Sequence, residues 1–160
     1  MSETTATDLT RSLLGPVSLA TPKGVRSRQV DAELGHLWHW QGDGEPLLSL
    51  LVGVRTTQLG TPTGPARALG PALDEISGRV DQVIEVRRPV EVLVEGALGS
   101  SAAVVTAVLG GQQARIALVV STEGTWMHRV EVAVLDTDGG RAVQEQILGG
   151  IQVHPWERPA

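Results

Sequence analysis

The chain has 160 residues, no cysteine and a formal net charge of −5. The lack of cysteine excludes disulfides, thiolate metal sites and a cysteine nucleophile. The 13 basic residues are scattered along an acidic chain, which argues against nucleic-acid binding because that binding depends on neutralising phosphates. Four tryptophans stand without any phenylalanine or tyrosine, so we expect an aliphatic core in which tryptophans are the only large anchors.

The length fits a single domain, which we expect over residues 16–153. Residues 1–15 are rich in serine and threonine and are predicted to be a flexible N-terminal tail, and residues 154–160 a C-terminal tail. No basic, apolar signal segment opens the chain, and no apolar run has the length of a membrane span. These patterns predict a cytoplasmic protein without a membrane span.

The first third of the chain is predicted to form strands. Val17–Ala20 is a short strand that ends at the turn Thr21-Pro22-Lys23-Gly24, since proline and glycine mark turns. Leu34–Trp40 is a second strand, and Leu47–Arg55 follows it after a glycine-rich hairpin loop. The continuous apolar character of Leu47–Arg55 predicts a strand that is buried on both faces.

The middle of the chain holds the clearest helical pattern. Leu69, Leu73, Ile76 and Val80 recur at helical spacing and predict a helix between the first and the last of them. Pro71 is expected near the start of this helix, where a missing N–H costs least.

A second group of strands follows the helix. Val83–Val86 is a strand candidate, and the Arg87-Arg88-Pro89 sequence after it restricts its pairing to a sheet edge or a bulge. Val90–Val94 is predicted to resume as a strand.

The last third predicts a three-strand meander closed by a helix. Its strands are Ser101–Leu109, Ala114–Ser121 and Trp126–Leu135, separated by glycine-containing turns. A helical period then begins after Asp138-Gly139-Gly140, and Ile151-Gln152-Val153 adds a last strand-like contact.

The densest polar and aromatic cluster is His36-Leu37-Trp38-His39-Trp40. Trp38 and Trp40 share a strand face, and Trp126 from another strand is a candidate to join them. Tryptophan is favoured at binding hot spots, so these three residues, with His36 and His128, are the candidate binding residues. The alternative is that the tryptophans fill the core and the histidines are solvated or hydrogen-bonded.

No pattern in the sequence indicates catalysis or a metal. Two histidines three residues apart on a strand point to opposite faces, which works against joint ligation. Gly99-Ser100-Ser101 lacks the second glycine of a nucleophile elbow, and the loop that starts at Asp136 lacks the glutamate of an EF-hand. We therefore expect a non-enzyme without a cofactor or a bound metal.

Three segments carry a resemblance to a known superfamily. Val17–Gly24 is like its opening strand and Pro-x-Gly turn, Gln144–Val153 is similar to its closing helix and final strand, and Val90–Leu135 matches its meander. Over residues 17–153 the chain thus resembles the PsbP-like α/β/α-sandwich superfamily, which includes adaptor proteins of type VI secretion. The resemblance implies a binding or assembly factor, and it carries over no catalytic residue.

Together these patterns predict an α+β fold, with an antiparallel sheet of about six strands packed by two helices. Cystatin-like and ferredoxin-like packings are the alternatives. The predicted function is a non-catalytic protein-interaction module, such as an adaptor, chaperone or assembly component of a bacterial machine like a secretion system. The expected partner is another protein, or a second copy in a homo-oligomer, because both faces of several strands are apolar. The alternatives are a domain that binds a small apolar ligand or lipid, and a metal-dependent or hydrolytic enzyme.

Overall fold

The computed structural model describes the backbone of residues 9–14, 16–22, 26–29, 35–41 and 49–155, and the side chains of residues 16–21 and 52–155. Within these ranges the chain forms ten strands and two helices. The strands are β1 (Leu9–Leu14), β2 (Val17–Pro22), β3 (Arg26–Gln29), β4 (Gly35–Gln41), β5 (Ser49–Gln58), β6 (Gln82–Arg87), β7 (Ser100–Leu109), β8 (Gln112–Glu123), β9 (Trp126–Leu135) and β10 (Gln152–Val153), and the helices are α1 (Pro65–Arg79) and α2 (Asp138–Leu148).

Seven strands of the described chain form one antiparallel sheet in the order β3-β4-β5-β9-β8-β7-β6. A second antiparallel sheet has the order β1-β2-β10. The predicted α+β fold is confirmed, and the cystatin-like and ferredoxin-like alternatives are not needed. The main sheet contains seven strands where about six were predicted, and one of them, β3, is a polar segment that carried no strand signal.

The main sheet buries an apolar layer on each face. Successive strand residues alternate between faces, so β8 contributes Ile116 and Leu118 to one layer and Ala117 and Val119 to the other. Helix α1 packs on the first face, called the α1 face below, and α2 covers the second, the α2 face, together with β2. The α1-face core contains Ala68, Leu69, Ala72, Leu73, Ile76, Ala103, Val105, Ala107, Ile116, Leu118 and Val120, and the α2-face core includes Val17, Leu19, Val52, Val54, Val132, Val143 and Ile147.

Helix α1 begins four residues earlier than its apolar stripe predicts. The stripe itself is confirmed, because Leu69, Leu73 and Ile76 are all buried. Pro65, rather than Pro71, occupies the first turn, where its missing N–H has no helical partner to lose. Pro71 instead lies inside the helix and is exposed. Neither α1 nor α2 is long and apolar enough to cross a membrane.

The predicted meander is confirmed, with β9 at its predicted bounds. The strand predicted at Val90–Val94 is wrong, since the structure assigns no strand there. Val94 is nevertheless buried in the α2-face core, Leu93 is 88% exposed, and the N–H of Val90 donates to the carbonyl of Ala102. The alternation in this segment therefore reflects packing of every second side chain without a strand ladder.

The predicted N-terminal tail contains a strand where the structure describes it, and the first residue of the predicted C-terminal tail makes two hydrogen-bonded contacts. Leu9–Leu14 pairs along its whole length with β2, so backbone pairing orders a segment whose composition predicted a flexible tail. At the other end, the N–H of His154 donates to the carbonyl of Pro16, and the ring Nε2 of His154 lies 2.8 Å from Ser18 Oγ. Residues 1–8, 15 and 156–160 lie outside the described residues.

Candidate functional site

The backbone places three of the five predicted binding residues in β4. His36 lies opposite Val54 and Trp38 opposite Val52 in β5, and Trp40 lies two residues further along β4. The side chains of these residues lie outside the described part of the chain. Their role in binding therefore stays a prediction.

The other two predicted residues lie in β9 and are separated from Trp38 along the sheet. Trp126 is half-buried and lies opposite Gln58 of β5, while Trp38 lies opposite Val52. The offset of six residues along β5 corresponds to about 20 Å. The backbone thus does not bring Trp126 beside the tryptophans of β4.

His128 is a buried, hydrogen-bonded residue of the sheet. His128 is 2% exposed. Its Nδ1 lies 3.0 Å from Thr56 Oγ1, and its Nε2 lies 4.0 Å from a carboxylate oxygen of Glu123. A side chain buried to this degree offers no surface to a protein partner. Among the described residues, no group of three or more histidine, aspartate or glutamate side chains is arranged to hold a metal ion.

Among the strands whose side chains the structure describes, the most exposed apolar strand is β6, at one edge of the main sheet. All six of its residues are exposed, including Val83 (36%), Ile84 (49%) and Val86 (45%). In the described part of the chain β6 pairs only with β7, so the backbone groups on its outer side have no strand partner there. The register shifts at Ile84, as in a β-bulge. We call this surface, Gln82–Arg87, the β6 edge.

More apolar surface lies on the segment that follows the β6 edge. Leu93 is 88% and Leu98 86% exposed. This segment and the start of β7 together line a shallow cavity of 620 Å³. Its lining residues are Pro89, Val90, Glu91, Val92, Leu93, Ser100, Ser101 and Ala102. The β6 edge and this segment hold five of the six large apolar residues that are exposed in the described chain.

A polar cleft of 240 Å³ adjoins the β6 edge on the α2 face. Three arginines line it, Arg87 from β6, Arg115 from β8 and Arg141 from α2, and we call it the arginine cleft. Its two carboxylates are Glu85, 3.8 Å from Arg87, and Asp136, which accepts a hydrogen bond from Nε of Arg141 at 2.9 Å. The remaining lining residues are Ile84, Val104, Thr106 and Gln113.

Asp136 is the best-held carboxylate of the arginine cleft, with a side chain that is 4% exposed. Hydrogen bonds from Arg141 and then Gln113 hold the pKa of Asp136 below its ordinary value of 3.8. The same ion pair raises the pKa of Arg141. The Asp136–Arg141 pair therefore keeps its two charges across the neutral and mildly acidic range.

Replacing Asp136 by asparagine is expected to flatten the acid side of the stability profile. Because its pKa is lower in the folded than in the unfolded chain, ionised Asp136 favours folding above pH 3.8, and this contribution is lost as the pH falls through the folded value. Urea unfolding between about pH 7 and about pH 3 measures the effect. Asp74→Asn, at an exposed position of α1, is the control and should follow the parent chain. Equal acid slopes for Asp136→Asn and the parent chain would contradict the assignment.

A second charged cluster fastens α1 to β9 on the α1 face. The side chain of Arg129 is 9% exposed and donates to Glu75 at 2.8 Å and to Glu131 at 3.2 Å, while Arg79 donates to Glu131 at 2.6 Å. The hydrogen bond from Arg129 lowers the pKa of Glu75. A cavity of 330 Å³ lies beside this cluster, within the size range of ligand pockets, and is lined by Leu59, Thr63, Arg67, Ala68, Pro71, Ala72, Glu75, Met127 and Arg129.

The sequence predicted the β6 strand, but β6 was not among the predicted binding residues. Pro89 after the apolar run Val83–Val86 indicates an edge or a bulge, and the structure confirms both. An apolar run predicted to lie at an edge is itself a signal of an exposed pairing surface. The arginine cleft had no such signal, because its three arginines are far apart in the sequence.

The fold and this surface define a class of protein: an α+β domain with helices on both faces of an antiparallel sheet and an exposed apolar edge strand. No protein-family model and no curated protein matches the sequence. Among solved structures, the chain is similar to LpqN, described as involved in cell envelope biogenesis of Mycobacterium tuberculosis. The TM-score is 0.57 at 13% sequence identity, and the match covers 92% of this chain and 91% of LpqN. At this identity the likeness shows a common fold alone.

Proposed function

We propose that this chain is a non-catalytic protein-interaction module, an adaptor, chaperone or assembly component of a bacterial multiprotein machine. The observation that carries the proposal is the β6 edge, where Val83, Ile84 and Val86 are exposed on a strand with no outer partner in the described chain. Edge strands with unpaired backbone groups are templates for pairing with another chain.

The proposed occupant is an extended segment of a partner protein that adds to the sheet as an eighth strand beside β6. In this mode backbone hydrogen bonds supply affinity, and alternate side chains supply specificity. The bulge at Ile84 interrupts regular pairing, so the segment from Glu85 to Arg87 is the most regular template. The arginine cleft beside it gives a charged surface to an otherwise apolar edge.

The likeness to LpqN supports the proposal at a coarse level. LpqN is involved in cell envelope biogenesis, which is compatible with a non-catalytic role in a bacterial assembly. The proposed membership of the PsbP-like superfamily, whose members are mostly binding or assembly factors, points in the same direction. A secretion system is one kind of bacterial machine that is compatible with this role. The charge and apolar character of the β6 edge would select the partner.

The double substitution Ile84→Lys and Val86→Lys is expected to abolish partner binding without unfolding the chain. Both side chains are about half exposed, and lysine on an edge strand blocks strand addition. The tagged full chain is used to capture partners from bacterial lysate, the captured protein is identified and purified, and its affinity is measured for each variant. Binding should fall by more than about tenfold, equivalent to about 1.4 kcal/mol.

The matched control is Leu98→Lys with Leu109→Lys, which adds the same charge at exposed apolar positions off β6. Hydrogen exchange should show new protection of the β6 amides in the parent complex. Equal binding by the β6 double variant would overturn the proposal. A chain that sediments as a monomer and captures nothing would also overturn it, in favour of a small apolar ligand in the cavity beside Arg129. Self-association lost in the β6 variant would make the occupant a second copy.

A further inference from the structure

Arg115 is held in the arginine cleft by a buried glutamine of α2. Gln144 is 0% exposed, and its Oε1 accepts a hydrogen bond from Nε of Arg115 at 2.8 Å. Its Nε2 donates to the backbone carbonyls of Arg115 at 3.0 Å and of Val132 at 2.9 Å. Gln144 is thereby fixed on both sides, and it fixes the guanidinium plane of Arg115.

This arrangement leaves the outer edge of Arg115 available to a ligand. Its Nε is used by Gln144, and no hydrogen bond or ion pair joins its two terminal nitrogens to another described residue. Arg129 and Arg141, by contrast, are each paired with a carboxylate. A half-buried guanidinium with two free parallel N–H groups matches the two oxygens of a carboxylate.

The charge balance of the cleft favours a ligand with one negative charge. Its lining residues include three arginines and two carboxylates, Glu85 and Asp136, which leaves a formal charge of +1. A carboxylate neutralises this charge, whereas a phosphate dianion would leave an excess negative charge beside both acidic residues. Solvent-exposed Arg87, with a side chain 67% exposed, can close over a bound anion from the β6 side.

We infer that the arginine cleft is a carboxylate-binding site, and that its ligand is an acidic side chain of the segment that pairs with β6. The location of the cleft supports the pairing segment as the source of the carboxylate, because Ile84, Glu85 and Arg87 of β6 line the same cleft as Arg115. A segment added beside these residues presents every second side chain to the α2 face, on which the cleft opens. The site itself follows from the cleft alone, and the source of the carboxylate rests on the proposed function.

The first experiment follows the arginine Nε–Hε signals of the full chain by NMR during titration with sodium acetate, with sodium chloride at equal ionic strength as the reference. We expect a saturable shift of the Arg115 signal with acetate, and a weaker response to sodium phosphate. Arg87→Gln and Arg88→Gln form a matched pair of adjacent exposed variants, of which only the first removes a cleft residue. Arg87→Gln should weaken acetate binding about threefold, and Arg88→Gln should leave it unchanged.

Arg115→Gln should weaken acetate binding about tenfold, followed through the Arg87 signal, because a bidentate charge-assisted pair is lost. If this variant does not fold, the Arg87 and Arg88 pair still decides the question. No saturable shift with acetate beyond that with chloride would overturn the site, and so would equal effects of Arg87→Gln and Arg88→Gln.

The second experiment tests the source of the carboxylate with a capped peptide of about eight alternating valine and threonine residues that carries one central glutamate. The control peptide has glutamine in place of this glutamate. The glutamate peptide should bind the parent chain about tenfold more tightly, and the preference should vanish in Arg115→Gln. Equal affinities would overturn the peptide source. A chain that binds acetate but neither peptide would keep the carboxylate site while contradicting strand addition, so the two failures are distinguishable.

Discussion

Replacing Ile147 by alanine is expected to lower the free energy of unfolding by about 2–5 kcal/mol, as large-to-small core substitutions do. Ile147 is 0% exposed and belongs to the α2-face core, with Val17 and Leu19 of β2 and Val132 of β9. Alanine would leave a cavity at the point where α2, the small sheet and the main sheet meet. Urea unfolding followed by circular dichroism measures the loss.

The control for this substitution is Ile84→Ala on the β6 edge. Ile84 is 49% exposed, so its truncation removes little buried area and is expected to cost less than about 1 kcal/mol. A cost for Ile147→Ala no greater than that for Ile84→Ala would contradict the packing of α2 on the sheet. A difference of several kcal/mol is a large part of the total for a domain of this size, typically about 5–15 kcal/mol.

Replacing Gly96 by alanine is expected to destabilise the chain by about 2–5 kcal/mol, through two effects that add. Gly96 has φ +81°, a left-handed conformation that costs other residues about 1–2 kcal/mol. An added Cβ would also collide with the carbonyl oxygen of Val153 in β10. Relief requires β10 to move, which breaks the hydrogen bonds from Glu95 N–H to the Ile151 carbonyl and from Val153 N–H to the Glu95 carbonyl.

Gly110→Ala separates the two effects. Gly110 also has a positive φ, +60°, but no atom would lie within 4 Å of an added Cβ. Its substitution is expected to cost only the conformational term, about 1–2 kcal/mol. Thermal unfolding of both variants makes the comparison, with hydrogen exchange of β10 as a local readout. Equal losses at the two positions would show that the contact between Gly96 and β10 does not contribute to stability.

The proposed function requires the β6 edge to pair with a partner segment without aggregating. Natural edge strands are blunted by charges and bulges, and this one carries a bulge at Ile84 and the charges of Glu85 and Arg87. These features oppose indiscriminate aggregation. Arg87, together with Arg115, can select a segment with an acidic side chain, so Arg87 would contribute to both selectivity and protection.

Local sequence patterns determined the elements whose signals are strong. The alternation of Trp126–Leu135 gave the bounds of β9, and the stripe of Leu69, Leu73 and Ile76 gave the buried face of α1. Both patterns reflect a period set by backbone geometry, which is independent of what the element packs against. The α+β fold follows from the same reasoning. Local patterns did not predict the strands Leu9–Leu14 and Arg26–Gln29, which form because they pair with β2 and β4.

The sequence by itself determined an aliphatic α+β domain with a meander, two helices and an edge or bulge at Val83–Val86. Only the tertiary structure decided which residues meet. Strand β9 is inserted between β5 and β8, and Gln144 of α2 holds Arg115 of β8 from 29 positions away. The arginine cleft and the isolation of the β6 edge depend on this strand order. Strand order is fixed by long-range pairing, which leaves no periodic trace in the local sequence.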